Sequence, residues 1–357
     1  MRNTWLRKKI RDFTPYEVAP IQEKYVINAN ESPYNLFSVP AVKAAFLQEL
    51  DTFTTQTYPD PMANELRQAL GEYVNVQPEQ ILCGNGGDEI ISYILHTFLD
   101  DGDTVLVHSP TFDMYELGAI QLGAKVVKVS DLVDYKHDIQ QFLNKINNLQ
   151  PKLTFFCNPN NPTGELLPLS VVEQVAAVAD NPVVIDEAYL EFSDQESAIS
   201  LLNRYDNIIV VRTLSKAFGL AGLRLGYCVS TPDMIKAVAK VKAPYNLNKM
   251  TQLIGCIALA HRAEILKNLP LIKQNRADLI AALNELPEVK VYDSATNFFL
   301  VKVPDNDGLF QALKNADILV KNYSQKNGLE DCLRISVTTK EVTHKVLAVF
   351  REVIQNA

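Results

Sequence analysis

Between about residue 60 and residue 230 the chain alternates two hydrophobic periods, and this limits the folds open to it. Short apolar runs at 104–107, 125–129, 153–157, 182–185, 208–211 and 226–229 have the length of buried strands. Leu66, Ala69, Leu70, Tyr73 and Val74 recur instead at the spacing of one helix face. Between the third and fourth runs, Ser170-Val171-Val172-Glu173 has the form of a capping box and opens a further apolar stretch, which predicts a helix there. Strands joined by helices need crossover connections, so the pattern predicts an α/β fold with a mainly parallel sheet covered on both faces. Ligands of such sheets bind outside the carboxyl ends of the strands, which directs attention to the residues just after each run.

After Ala243-Pro244-Tyr245-Asn246 the pattern changes to long helical segments, then to apolar runs at 297–303 and 332–337. At 357 residues the chain is long for a single core. Three parts are expected: an amino-terminal arm over 1–30, too short to be a domain, a large domain over 31–244 and a smaller α+β domain over 245–357. A net charge of −8 argues against a nucleic-acid partner. The five cysteines are widely spaced without a Cys-x-x-Cys pair, and the histidines at 96, 108, 137, 261 and 344 show no metal-ligand spacing, so no metal is expected. The basic residues Arg2, Arg7, Lys8, Lys9 and Arg11 precede no apolar signal region, and no run approaches membrane-spanning length. A cytoplasmic protein is expected, with the basic cluster a solvated face or a docking arm.

The ends of the runs carry chemistry. Lys216 lies just past the run at 208–211, with hydroxyls at Thr213 and Ser215 before it and Arg224 after it. An amine beside an anion cup suits Schiff-base formation with a phosphorylated aldehyde such as pyridoxal phosphate. The glycines of Cys83-Gly84-Asn85-Gly86-Gly87-Asp88-Glu89 open a helix expected from Glu89, where a phosphate can be held. Neither a dinucleotide nor a Gly-Lys-Ser/Thr spacing is present. Asp186 follows Val183-Val184-Ile185, where a carboxylate either caps a turn or meets a buried cation such as a pyridinium nitrogen. Tyr189 can donate to a ring oxygen or simply pack at a sheet edge. Asn161 stands between prolines in the rigid turn Asn158-Pro159-Asn160-Asn161-Pro162-Thr163-Gly164 and can point an amide at a ligand.

Together, Asn161-Pro162-Thr163-Gly164, Asp186-Glu187-Ala188-Tyr189, Ser215-Lys216 with Arg224, and Leu333-Arg334-Ile335 resemble the fold-type I pyridoxal-phosphate aminotransferases. Asn28-Ala29-Asn30-Glu31-Ser32-Pro33-Tyr34, Tyr58-Pro59-Asp60, residues 84–89, Ser109-Pro110-Thr111-Phe112 and the run 212–224 resemble, more narrowly, the histidinol-phosphate aminotransferases. The match runs from about residue 14 to the end.

The resemblance implies a seven-stranded, mainly parallel sheet between helices, a smaller α+β domain and a homodimer with shared active sites. It implies that Lys216 holds pyridoxal phosphate and moves the substrate proton, that Asp186 pairs with the ring nitrogen, and that Asn161 and Tyr189 contact the phenolic oxygen. Phe112 would lie on the ring face. Gly87, Asp88, Thr213, Ser215 and Arg224 would hold the phosphate, with Tyr58 reaching it from the neighbouring subunit. Arg334 would bind a substrate carboxylate or phosphate, and Tyr16 would sit on an arm folded over the substrate. Lys321 stands where these enzymes commonly carry a second arginine; it keeps the charge and loses the planar fork. An amino donor and a 2-oxo acid are the implied partners, histidinol phosphate and 2-oxoglutarate first among them. Transamination of an aromatic or other amino acid, decarboxylation as in the threonine-phosphate decarboxylases, and a cofactor-sensing regulator remain open alternatives. The last would need a DNA-binding domain for which the segment before the core is too short.

Overall fold

In the computed structural model, which describes residues 5–11, 13 and 20–355, the apolar runs pair into one sheet. In chain order, β1 (Tyr25–Val26) is followed by α1 (Pro40–Leu50) and α2 (Asn64–Val74). The main sheet and its helices come next: β2 (Ile81–Asn85), α3 (Gly87–Phe98), β3 (Thr104–Ser109), α4 (Met114–Leu122), β4 (Lys125–Ser130), α5 (Ile139–Leu149), β5 (Leu153–Cys157), α6 (Leu169–Val178), β6 (Val183–Asp186), β7 (Ile208–Thr213) and β8 (Leu225–Val229). The chain continues through α7 (Pro232–Val238), α8 (Lys249–Ala260), α9 (Arg262–Leu266) and α10 (Leu269–Asn284). It ends with β9 (Lys290–Val291), β10 (Phe298–Lys302), α11 (Asn306–Asn315), β11 (Ile318–Leu319), β12 (Lys321–Asn322), β13 (Cys332–Ser336) and α12 (Lys340–Gln355).

The seven-stranded sheet has the order β2-β8-β7-β6-β5-β3-β4, with β8 alone antiparallel to its neighbours. Strands β5, β6 and β7 are buried along their whole length, as expected where helices cover both faces. Side chains along each strand alternate between two cores. Val105, Phe155, Val184 and Ile209 pack with Ile90 and Ile94 of α3 and Tyr115 of α4. Leu106, Phe156, Ile185 and Val210 pack on the other face with Phe142 of α5 and Val172 of α6. The strand order reverses at β3, which lies between β4 and β5, and this opens a crevice at the carboxyl ends of β3 and β5.

A four-stranded sheet in the order β12-β13-β10-β9 forms the smaller part, with α10 and α11 packed on α12. Residues 25 and 26 join it by parallel pairing of β1 with β11. The expected division after residue 244 falls in the loop ahead of α8, and α8 packs on α1 and α2. No helix of the described residues is long and apolar enough to cross a membrane.

Two local expectations are corrected. Helix α6 begins at Leu169 with Pro168 as its N-cap and no capping side-chain bond, so the box at Ser170 does not form. The Pro168 carbonyl takes the N–H groups of Val171 and Val172, while Glu173 is drawn away to an ion pair with Arg204 at 2.5 Å. Helix α3 begins at Gly87 rather than Glu89, whose carboxylate instead accepts the Asn85 N–H at 2.6 Å.

Beneath the main sheet Arg212 pairs with Glu187 at 3.3 Å and Glu191 at 2.7 Å, all three side chains being buried. Glu187 also accepts from Ser197 Oγ and the Ala198 N–H, and Tyr73 donates to Glu191. Replacing Arg212 with leucine strands two buried carboxylates and is expected to cost about 3–5 kcal/mol in urea unfolding. The same measurement on Lys236→Ala, which breaks an exposed pair with Asp233, is expected to show an unchanged midpoint.

Candidate active site

Parallel strands that reverse order at β3 bring the carboxyl ends of β3, β5, β6 and β7 to one edge, and the expected residues gather there. After β7 the chain turns sharply: the Ser215 N–H donates to Thr213 Oγ1, which also lies 3.0 Å from the Leu225 carbonyl. This aims Lys216 across the edge, where Nζ donates to the Ala29 carbonyl at 2.7 Å. Burial first, and the positive field of Arg334 second, lower its pKa from the ordinary 10.5 to about 8.

Asp186 ends β6 and is buried. Burial raises its pKa to about 6, opposed by the Tyr115 hydroxyl, which donates to Oδ2 at 2.7 Å, and by the Ala188 N–H, which donates to Oδ1 at 3.0 Å. The carboxyl therefore stays ionised at neutral pH. Tyr115 is itself fixed between the stacked ring of Phe155 at 4.8 Å and the edge contact of Phe112 at 5.6 Å.

A chain of amides links the two sheets. Arg334 of β13 donates from Nη1 to Asn161 Oδ1 at 2.5 Å and from Nη2 to the Asn28 carbonyl at 2.6 Å, leaving a buried Nε without a partner. The Asn161 amide donates to the Tyr189 hydroxyl oxygen at 3.5 Å, and Asn30 Nδ2 donates to the same oxygen at 3.1 Å. With both amides donating to its oxygen, Tyr189 keeps its own proton for another acceptor. Burial pushes the Tyr189 pKa up, so that proton stays in place. Asn30 is held by Ser336 and Asn297 in a left-handed conformation, φ 58°, that asparagine tolerates.

The anion cup is built of backbone. A side chain at Gly226 would stand 2.3 Å from the Gly86 carbonyl carbon and 2.5 Å from the Gly87 nitrogen, so only glycine lets β8 lie against the amino end of α3. Gly86 itself has φ 84°, and Arg224 crosses it to reach Asp88 Oδ2 at 2.8 Å. Arg224 and Asp88 thus pair beside the N-terminus of α3, where Gly87 opens the helix, and Thr213 Oγ1 donates to Ser215 Oγ at the end of β7.

Lys321 sits directly opposite Arg334 in the pairing of β12 with β13, and both cations lie over the Tyr323 ring. Neither forms an ion pair with a carboxylate among the described residues. Tyr58 is 78 % exposed and stacks on Tyr245 at 4.5 Å, away from this cluster's hydrogen bonds. Tyr16 lies outside the described residues. Sequence reasoning gave no role to Tyr115, Asn30 or Ser336. Asn30 was legible only as part of Asn28-Ala29-Asn30, and Tyr115 reads in sequence as an ordinary apolar helix residue.

Comparison with known proteins agrees with this geometry. The family profile for aminotransferase class I and II matches residues 23–350. The chain is 40% identical over 351 residues to a histidinol-phosphate aminotransferase of Thermoanaerobacter sp. (strain X514), covering 98% of each chain. It is 38% identical over 350 residues to the enzyme of that name from Caldanaerobacter subterraneus subsp. tengcongensis, again covering 98% of each. Among solved structures it is similar to histidinol-phosphate aminotransferase from Sinorhizobium meliloti in complex with pyridoxal-5'-phosphate, with a TM-score of 0.87, 25% identity and 98% of each chain covered.

The buried amine gives a direct measurement. Because the Lys216 pKa is lowered, the free amine predominates above about pH 8. Purified apoprotein is expected to form a Schiff base with salicylaldehyde in which the part lost in Lys216→Ala, taken as the difference between the two proteins, follows a pH curve with its midpoint near 8. A midpoint near the ordinary 10.5 would contradict the burial argument.

Proposed function

The chain belongs to the class I and II aminotransferases and is a pyridoxal-phosphate-dependent transaminase; we propose that it moves the amino group of histidinol phosphate to 2-oxoglutarate, giving imidazole acetol phosphate and glutamate in histidine biosynthesis. The residues present fit the cofactor: a glycine-walled cup at a helix N-terminus suits its phosphate, a buried carboxylate its ring nitrogen, and a buried amine its aldehyde. Bound there, pyridoxal phosphate supplies an aldehyde that takes up the amino group and a protonated ring that draws electrons from the substrate's α-carbon.

The geometry supports a role for each residue. Lys216 holds the cofactor and, once its amine is free, carries the proton to and from the α-carbon; a pKa near 8 lets it do both near neutral pH. Asp186, kept ionised by Tyr115 and the Ala188 N–H, holds a proton on the ring nitrogen. Tyr189 and Asn161 serve the phenolic oxygen, the Tyr189 proton being left for it by the two amides on its oxygen. Phe112 covers a ring face, and Gly87, Asp88, Thr213, Ser215 and Arg224 hold the phosphate. Arg334 forks onto the carboxylate of glutamate.

The observation that carries the substrate assignment is the facing pair of Lys321 and Arg334, two cations at one register position without carboxylate partners. Like charges set across a ladder repel, and an anion shared between them removes the cost. A donor that brings a phosphate where glutamate brings a carboxylate satisfies this site in both half-reactions. Homodimerisation belongs to the same proposal, since exposed Tyr58, steadied by stacking on Tyr245, presents a hydroxyl donor for a neighbouring subunit's phosphate. A cytoplasmic setting is supported by the five free cysteines.

A half-reaction screen tests the reading. Histidinol phosphate and glutamate are each expected to convert the holoenzyme's cofactor spectrum, whereas response to phenylalanine or tyrosine but not to the phosphate ester would overturn the substrate assignment. Release of carbon dioxide without a keto product would favour decarboxylation. Lys321→Ala is expected to raise KM for histidinol phosphate by about tenfold, about 1.4 kcal/mol, with a smaller change for glutamate.

A further inference from the structure

Away from this site, three side chains with no part in transamination meet at the edge of the main sheet. His108 is the penultimate residue of β3, Asp131 follows β4 directly, and His137 lies one residue ahead of Asp138, the N-cap of α5. His137 Nδ1 lies 3.0 Å from Asp131 Oδ1, and His108 Nδ1 lies 3.4 Å from the same oxygen. One ligand atom from each residue falls within 4.8 Å of the others. The three side chains are only 1 to 2 % exposed. Yet His108 Nδ1 and Nε2, Asp131 Oδ2 and His137 Nε2 have no hydrogen-bond partner. Among the described residues no lysine or arginine pairs with Asp131. A His137–Asp131 hydrogen bond accounts for one nitrogen and leaves the second imidazole facing the same oxygen unexplained. One buried imidazole nitrogen, His108 Nδ1, thus faces the Asp131 carboxylate oxygen already shared with His137 and has no hydrogen bond of its own, an arrangement folded interiors rarely leave.

We propose that His108, Asp131 and His137 bind one divalent first-row transition-metal ion of the zinc class as a structural site. Zinc bonds of about 2.0–2.2 Å at tetrahedral angles place neighbouring donor atoms about 3.3–3.6 Å apart; the two Nδ1–Oδ1 separations, 3.0 and 3.4 Å, lie near this, and all three donors fall within 4.8 Å of one another. Two imidazoles and one carboxylate select such an ion over calcium or magnesium, which take oxygen ligands. Its charge neutralises the buried carboxylate, and a water completes the four positions. The ion would tie the ends of β3 and β4 to the start of α5. Four residues after His108 the chain reaches Phe112, whose ring lies against Tyr115, the partner of Asp186, so the metal would steady the strand end that leads to the transaminase site.

The test uses the holoenzyme, stripped with a chelator, dialysed and titrated with zinc chloride. One equivalent per chain is expected by elemental mass spectrometry, with a raised Tm. Asp131→Asn and His137→Gln, checked for retained cofactor absorbance, are expected to bind zinc more than about tenfold more weakly. Zinc uptake no greater than a protein-free control with an unmoved Tm, or equal binding by both variants, would overturn the site. Should neither variant fold, cobalt(II) in the wild type decides: visible bands of a tetrahedral centre support the proposal, and their absence refutes it.

Discussion

Burial of the main sheet on both faces is the constraint from which the rest follows. Strands that run the same way and are covered by helices send all their carboxyl ends to one edge, so side chains from β3, β5, β6 and β7 meet without any long-range pairing to bring them together. The reversal of strand order at β3 leaves the gap in which they meet. The glycine contact between β8 and the start of α3 then brings that helix's N-terminus close against the sheet.

Within the gap, charge is managed by neighbours that were not themselves chosen for chemistry. Burial pushes Asp186 toward its neutral form, and Tyr115 with one backbone N–H pulls it back toward the carboxylate. Lys216 is brought down by burial and by Arg334, a residue from the other sheet. Lys216 is therefore tuned in part from across the boundary between the two sheets, whereas Asp186 is set by groups of the main sheet and its helices.

Much of this was legible in the sequence. Runs of branched and aromatic residues without alternation read as two-faced strands, and the residues just past them, Asp186, Asn161 and Lys216, are the ones that converge. What stayed hidden was contact between distant segments. Tyr115 is spaced as an ordinary helix residue, and only folding shows its hydroxyl on Asp186. The capping box at Ser170 failed because Pro168 supplied the acceptor first and Arg204 claimed Glu173. His108, Asp131 and His137 have no telling interval, because parallel strands join residues whose separation in the chain is set by a helix.

Three consecutive residues, Asn28, Ala29 and Asn30, receive Arg334, Lys216 and, in reverse, give an amide to Tyr189. This strip begins two residues beyond β1, itself a strand against β11 beside the small sheet. It acts as a ruler laid across the two halves, fixing the distance between the amine on one and the guanidinium on the other. Once the Lys216 amine is bonded elsewhere, the Ala29 carbonyl loses its donor, and one mark on that ruler is freed. A new bond at the Lys216 amine is in this way registered in the same strip of backbone that receives Arg334.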